Sequence, residues 1–163
     1  MLRAKLGDIT TISTGAIVNS ANPSLLAGGG VCGAIHRAAG PQLEATCRAI
    51  GKLEPGQAVI TQAFDLPAKY VIHAVAPRYW DGTRGEAETL QQAYSAISKL
   101  IAQYGIAQVT LPSLGTGIYR FPLNQAASIA CKTLHEQLPA GCDATFVCFD
   151  EVTFAAYEKA LHR

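Results

Sequence analysis

Apolar residues along the chain fall into two recurring signatures. Short runs rich in β-branched residues read as strands: Leu2 to Leu6, Ala16 to Asn19, Ala58 to Thr61, Tyr70 to Val75, Gln108 to Leu111 and Ala144 to Phe149. Between them lie stretches with helical spacing. Ala34 to Ala39 and Pro41 to Ile50 form two short helices, the second with Pro at its first turn and Gly51 as its stop. Glu86 to Tyr104 carries Leu90, Ala93, Ala96, Ile97, Leu100 and Ile101 on one stripe and ends at Gly105, a C-cap glycine. Pro122 to Leu138 is a fourth helix, and Thr153 to Leu161, with Phe154, Tyr157 and Leu161 on one face, is the last.

Strands alternating with helices predict an α/β fold, a three-layer α/β/α sandwich, over a single domain spanning 1–163. One arrangement occurs twice. The strand ending at Asn19 runs through Asn22 into Gly28-Gly29-Gly30-Val31-Cys32-Gly33 and a helix, and the strand ending at Leu111 runs through Gly115-Thr116-Gly117-Ile118-Tyr119 into another. Sheets of this class bind ligands at strand ends, so two such loops can cradle one diphosphate between them. Glycines bring bare N–H groups close to a ligand and a helix N-terminus adds partial positive charge, which suits phosphate. The structural alternative is a flexible surface loop.

Composition narrows the ligand rather than the fold. The net charge is +1 with no basic run, which predicts neither duplex nucleic acid nor an anionic membrane as partner, so an anion has to be held locally. Five cysteines, an odd number without a CxxC pair, read as reduced thiols of a cytoplasmic protein. Met1 to Gly7 lacks the apolar core of a signal peptide, and no apolar run reaches membrane-spanning length.

Gly28-x-Gly30-x-x-Gly33 satisfies the dinucleotide fingerprint by letter, but Pro23 to Ala27 separate it from its strand. No Gly-Lys-Ser/Thr follows either glycine cluster, which excludes a P-loop. Gly7-Asp8-Ile9-Thr10 reads as a turn in which Asp8 is a cap or faces a ligand. His73, inside a strand, reads as a packed core residue, and Asn22, just past a strand, is ordinarily a turn former.

Taken together, Gly7 to Thr10, Ile17 to Asn22, Gly28 to Val31, Gly33 to Gly40 and Pro112 to Pro122 resemble a macrodomain, most closely the MacroD-type branch that includes bacterial O-acetyl-ADP-ribose deacetylases. The likeness runs from the first strand to Phe149-Asp150-Glu151. It implies a mixed central sheet, ADP-ribose or its esters as ligand, ADP-ribosylated proteins as possible substrates, a monomer, and no cofactor or metal. Carried over onto this chain, Asp8 would accept from the adenine amino group with Ile9 beside it, and Phe149 would pack on the adenine ring. Gly29, Gly30, Val31, Gly115, Thr116, Gly117, Ile118 and Tyr119 would surround the diphosphate, and Asn22 would bind distal-ribose hydroxyls and serve catalysis. For Phe149 a core strand position is the structural alternative.

One departure bears on chemistry. Hydrolytic members of the branch usually have Asp after Gly-Gly-Gly-Val, where it orients or activates water against an ester at the distal ribose, and this chain has Cys32. A thiol is a weak acceptor and a poor substitute for a carboxylate at neutral pH. Cys32 and His36 stand at i, i+4, the spacing of a conceivable nucleophilic pair. Smaller departures are Gly115, where relatives often carry Ser, and Arg120, where Gly is common; Arg120 adds a cation beside the phosphates or faces solvent. The resulting expectation is a protein that binds ADP-ribose and hydrolyses its esters slowly, with a non-catalytic recognition module as the second reading.

Overall fold

The computed structural model describes residues 1–162, and the predicted strands and helices are all present. In chain order they are β1 (Leu2–Leu6), a 3-10 turn (Ile9–Thr11), β2 (Ala16–Ala21), α1 (Gly30–Ala39), α2 (Pro41–Ile50), β3 (Ala58–Gln62), β4 (Tyr70–Val75), α3 (Glu86–Tyr104), β5 (Gln108–Leu111), α4 (Leu123–Gln137), β6 (Asp143–Cys148) and α5 (Glu151–Leu161). The six strands form one mixed sheet in the order β1-β6-β5-β2-β4-β3. Only the edge strand β3 runs antiparallel to its neighbour.

Strand alternation sorts the core into two layers. Ile17 and Ala21 of β2 and Val71 and Val75 of β4 pack with Ile35 and Ala39 of α1 and Leu43 and Cys47 of α2. Ala16, Val18, Ile72 and Ala74 point the other way, onto Leu90, Tyr94, Ile97 and Ile101 of α3, the alanines of α4, and Tyr157 of α5. Burial of each such aliphatic side chain is worth about 1.5–3 kcal/mol, enough to seat helices that lack side-chain caps. Among the described residues no helix is long and apolar enough to cross a membrane.

Two boundaries differ from the sequence reading in ways that matter. Helix α1 starts at Gly30 rather than Ala34, so the last glycine of the run opens the helix and Gly29 stands as its N-cap. Gly30 enters the helix at φ +57, a conformation that a side chain at this position would disfavour. Strand β6 ends at Cys148, which leaves Phe149 outside the sheet and 85% exposed. Asp150 then caps α5, its Oδ1 accepting from the Thr153 N–H at 2.8 Å. Phe149 is therefore a surface aromatic and not a core strand residue.

Candidate functional site

Strands β2 and β5 are parallel neighbours, with Ala16 opposite Val109 and Ile17 opposite Thr110. The chain leaves β2 toward α1 on one face of the sheet and leaves β5 toward α4 on the other. A crevice opens where adjacent parallel strands diverge in this way, and both glycine loops stand on its lips.

The first loop is braced from within. Asn22 Nδ2 donates to the Leu26 carbonyl at 2.8 Å, Asn22 Oδ1 accepts from the Ser24 hydroxyl, and Leu25 is plugged into the core at 1% exposure. Beyond it, the Gly33 N–H donates to the Gly29 carbonyl at 3.2 Å as the first helical bond. The N–H groups of Gly30, Val31 and Cys32 therefore have no partner within the helix and form an anion-facing end. A Cβ on Gly29 or Gly30 would meet nothing within 4 Å, whereas one on Gly33 would lie 2.3 Å from the Gly28 carbonyl oxygen. Gly29 and Gly30 are open ground, and Gly33 is where the loop packs onto its own helix.

The second loop hangs from α5. Tyr157 donates to Ser113 Oγ at 2.8 Å, and Ser113 bonds the Thr116 hydroxyl at 2.8 Å, which anchors the loop at both residues. The loop closes through Phe121 N–H to Gly115 O at 2.9 Å and Arg120 N–H to Gly117 O at 3.0 Å. Burial pushes the Tyr119 phenol above its ordinary pKa; the Cys32 thiol adds to this and Arg78 opposes it.

Beneath the crevice runs a buried polar chain. Asn19 and His73 face each other across β2 and β4, with Asn19 Nδ2 at 3.1 Å from His73 Nδ1 and 3.8 Å from Cys32 Sγ. His73 Nε2 lies 3.0 Å from the Thr61 hydroxyl, which donates to the Gln62 carbonyl at 3.0 Å. An amide donor on one side and a hydroxyl committed as a donor elsewhere set the neutral tautomer with its proton on Nε2. Burial, with His36 adding to it, drops the His73 pKa to about 3. Unfolding lets the imidazole titrate normally, so stability is full above the ordinary value of 6.5 and is lost as pH falls toward 3. Between pH 6.5 and about 5, where carboxylates are still ionised, urea titrations should show a loss of up to about 1.4 kcal/mol per pH unit from this residue. His73→Gln should flatten that slope, and an unchanged slope would show that another group carries it.

Residues 18–130 match the family described as Macro domain. The chain belongs to the macrodomain family. It is 49% identical over 162 residues to an O-acetyl-ADP-ribose deacetylase of Enterobacter cloacae, with 95% of this chain and 90% of that protein aligned. A solved structure of the Oceanobacillus iheyensis macrodomain with ADP superposes at TM-score 0.93 with 35% identity, covering 98% of this chain and 88% of that one. The Trypanosoma brucei macrodomain in complex with ADP-ribose gives TM-score 0.86 and 35% identity over 97% of this chain and 68% of its own.

In this macrodomain the predicted site residues are placed unevenly. Asn22, Gly29, Gly30, Val31 and Cys32 gather at the end of β2, and Gly115 to Tyr119 at the end of β5, so the two clusters share one crevice. Asp8 caps the 3-10 turn, its Oδ1 accepting from the Thr10 N–H at 2.9 Å and the Thr10 hydroxyl at 2.6 Å. Those bonds, the hydroxyl's first, hold its pKa below the usual value, and Oδ2 takes no bond among the described residues. The Ile9 side chain is 5% exposed and packed in the core. Ile118 is 87% exposed at the tip of the second loop.

The Cys32–His36 pair does not form. Cys32 Sγ contacts Leu26 O and Asn19 Nδ2, each at 3.8 Å, and neither nitrogen of the buried His36 ring has a partner among the described residues. Burial, partly offset by Glu44, keeps the His36 pKa below its ordinary value. Burial also pushes the thiols of Cys47 and Cys148 up to about 11 and of Cys131 to about 12, so these three are inert packing groups. No cluster of three or more His, Cys, Asp or Glu suited to a metal occurs among the described residues.

Sequence reasoning missed two supports. Asn19 is a polar residue in a strand interior, and only the β2–β4 register reveals its partner. Glu86 opens α3 and looks like ordinary first-turn charge, yet its buried carboxylate accepts from the N–H groups of Trp80, Asp81, Gly82 and Arg84 at 2.7–3.1 Å. Burial alone would raise its pKa, but those bonds outweigh it and bring the group to about 2.

Proposed function

We propose that this macrodomain binds ADP-ribose and hydrolyses, slowly, O-acetyl-ADP-ribose or ADP-ribosyl esters on acidic side chains. The observation that carries the reading is the convergence of two N–H-rich glycine loops on one crevice between β2 and β5, with Asn22 at one end and Asp8 and Phe149 at the other. The diphosphate sits across the free N–H groups of Gly30 and Val31 and those of the Gly115 to Tyr119 loop, without a metal. Asp8 Oδ2 accepts from the adenine amino group, and the exposed Phe149 ring covers the base. Asn22 retains one N–H and one lone pair beyond its loop bonds, and these address the distal-ribose hydroxyls. In the reaction, water adds to the acyl carbonyl, the bond to the ribose oxygen breaks, and that oxygen takes a proton, releasing ADP-ribose and a carboxylic acid. The deacetylase relative and the ADP- and ADP-ribose-bound structures support this choice of ligand.

Calorimetry tests it. ADP-ribose should bind more tightly than AMP or NAD, and equal or weaker binding than AMP would remove the reading. Asp8→Ala should weaken every adenine-containing ligand by about 1–3 kcal/mol, the cost of a hydrogen bond to a charged group. Asn22→Ala should weaken ADP-ribose more than ADP; equal losses would move Asn22 off the distal ribose.

The second reading, recognition without turnover, rests on Cys32. The side chain at 32 is a buried thiol, 6% exposed, with no imidazole beside it to activate it.

A further inference from the structure

The rim next to Tyr119 carries chemistry that the two glycine loops do not use. Trp80 is 56% exposed, and the guanidinium carbons of Arg78 and Arg84 lie over its ring at 4.4 and 5.2 Å from the centroid. The segment is stitched to the second glycine loop: the Tyr79 N–H donates to the Tyr119 carbonyl at 2.8 Å, and the Tyr79 ring meets Phe121 edge-on at 5.0 Å. It is also held in shape. The Glu86 carboxylate ties down four consecutive-region N–H groups, from Trp80 to Arg84, so the indole and its arginines stand on a fixed platform.

Charge on this platform points outward. Of the three local acids, Glu86 is spent on backbone and Asp81 on Thr83 and, at 3.7 Å, on Arg84, while Glu88 is exposed in the first turn of α3. Arg78 and Arg120 have no carboxylate within 4.0 Å among the described residues. Arg120 is exposed and sits at φ +61, a backbone conformation costly for a residue with a side chain, in the turn that follows Tyr119. A guanidinium that stacks its plane on an indole still offers its N–H edge, and that edge matches a carboxylate.

We propose that Arg78, Trp80 and Arg120 form a docking rim for the acidic polypeptide segment around an ADP-ribosylated Asp or Glu, which is thereby presented to the crevice as part of a protein. The inference rests on the reading that the crevice holds ADP-ribose. Tyr119, whose carbonyl accepts from the Tyr79 N–H at 2.8 Å, links the rim to the second glycine loop. A peptide fits better than a nucleic-acid strand. Strands are held by a series of phosphate contacts, and a chain of net charge +1 with this one small cationic rim offers no such track.

The test uses peptides that carry ADP-ribose on one side chain through a non-hydrolysable linkage, flanked either by Asp and Glu or by Asn and Gln. Wild type should bind the acid-flanked conjugate about fivefold more tightly, as two exposed ion pairs allow, and the preference should vanish at high ionic strength. Arg120→Gly and Arg78→Gln should each shrink the preference with the neutral conjugate unchanged, and Arg120→Gly, freed of its backbone strain, should melt no lower than wild type. Equal affinity for both conjugates, with free ADP-ribose still bound, overturns the rim and leaves the crevice reading standing. Failure to bind free ADP-ribose overturns both. Equal losses for free ADP-ribose and both conjugates in Arg120→Gly would put that cation on the phosphates and overturn the rim. Tighter binding of an ADP-ribosylated single-stranded oligonucleotide than of the acidic peptide would assign the rim to nucleic acid instead.

Discussion

Cys32→Asp should raise the turnover of O-acetyl-ADP-ribose by a factor of about 10² to 10⁴, the range that a positioned general base supplies. The surroundings are already suited to a carboxylate. Position 32 lies in the first turn of α1, where the helix end favours negative charge, and Asn19 Nδ2 is aimed at it from 3.8 Å. Asn19 is itself fixed by His73, so a carboxylate at 32 would meet a donor that needs no rearrangement. Affinity for ADP-ribose should stay similar or fall slightly, because the backbone holds the phosphates and an added carboxylate beside them only repels. A timed deacetylation assay of both proteins decides the point. Were the thiol the nucleophile, Cys32→Ser and alkylation of the native protein would each nearly abolish turnover. A wild type as fast as the Asp variant and indifferent to alkylation would remove any role for this side chain and leave water activation to the substrate's own phosphate.

Gly33→Ala is expected to damage both the fold and the site. The new Cβ would stand 2.3 Å from the Gly28 carbonyl oxygen and 3.0 Å from Arg37 Nη1. Backbone cannot yield as a side-chain tip can, so the Gly28 segment has to move off α1. Overpacking of this kind costs about 1–3 kcal/mol, or about 3 °C or more in melting temperature for a chain of this size. The same shift displaces the neighbouring N–H groups of Gly30 and Val31, and misplacement by about 1 Å costs a positioned site up to about 10²-fold, so ADP-ribose affinity should drop by about tenfold or more. Gly29→Ala is the control. Its Cβ meets nothing within 4 Å and its φ of −88 suits alanine, so its melting temperature should match wild type. A Gly33→Ala protein that melts and binds like wild type would show that the loop has slack which the packing does not suggest.

Much of the architecture was legible because burial leaves a periodic trace. The stripe Leu90, Ala93, Ile97 and Ile101 specifies α3, and the run Tyr70 to Val75 specifies a strand covered on both faces. Both glycine clusters were also legible, since glycine next to a predicted strand end marks close backbone approach. Misplaced boundaries had local causes. Glycines suppress helix propensity, which hid the first turn of α1, whose first bond runs from the Gly33 N–H to the Gly29 carbonyl. Phe149 reads as a strand residue by composition, and only the cap at Asp150 turns the chain out of the sheet before it.

By itself, then, the sequence determined the alternation of strands and helices, the paired glycine loops and the exchange of an acid for Cys32, because these are properties of residues close together along the chain. What only the tertiary structure decided depends on residues far apart in sequence. Parallel pairing of β2 with β5 brings the two loops to one crevice, although Gly30 and Gly115 are separated by about half of the chain. Register between β2 and β4 places Asn19 against His73 and, through it, orients the donor beneath Cys32. The rotation of α1 sends the Cys32 thiol to Leu26 and Asn19 and leaves His36 without a bond, which a spacing of four residues could not foretell. Spacing along a helix says which residues share a face, while hydrogen-bond distance and direction are set by what the other elements bring to that face.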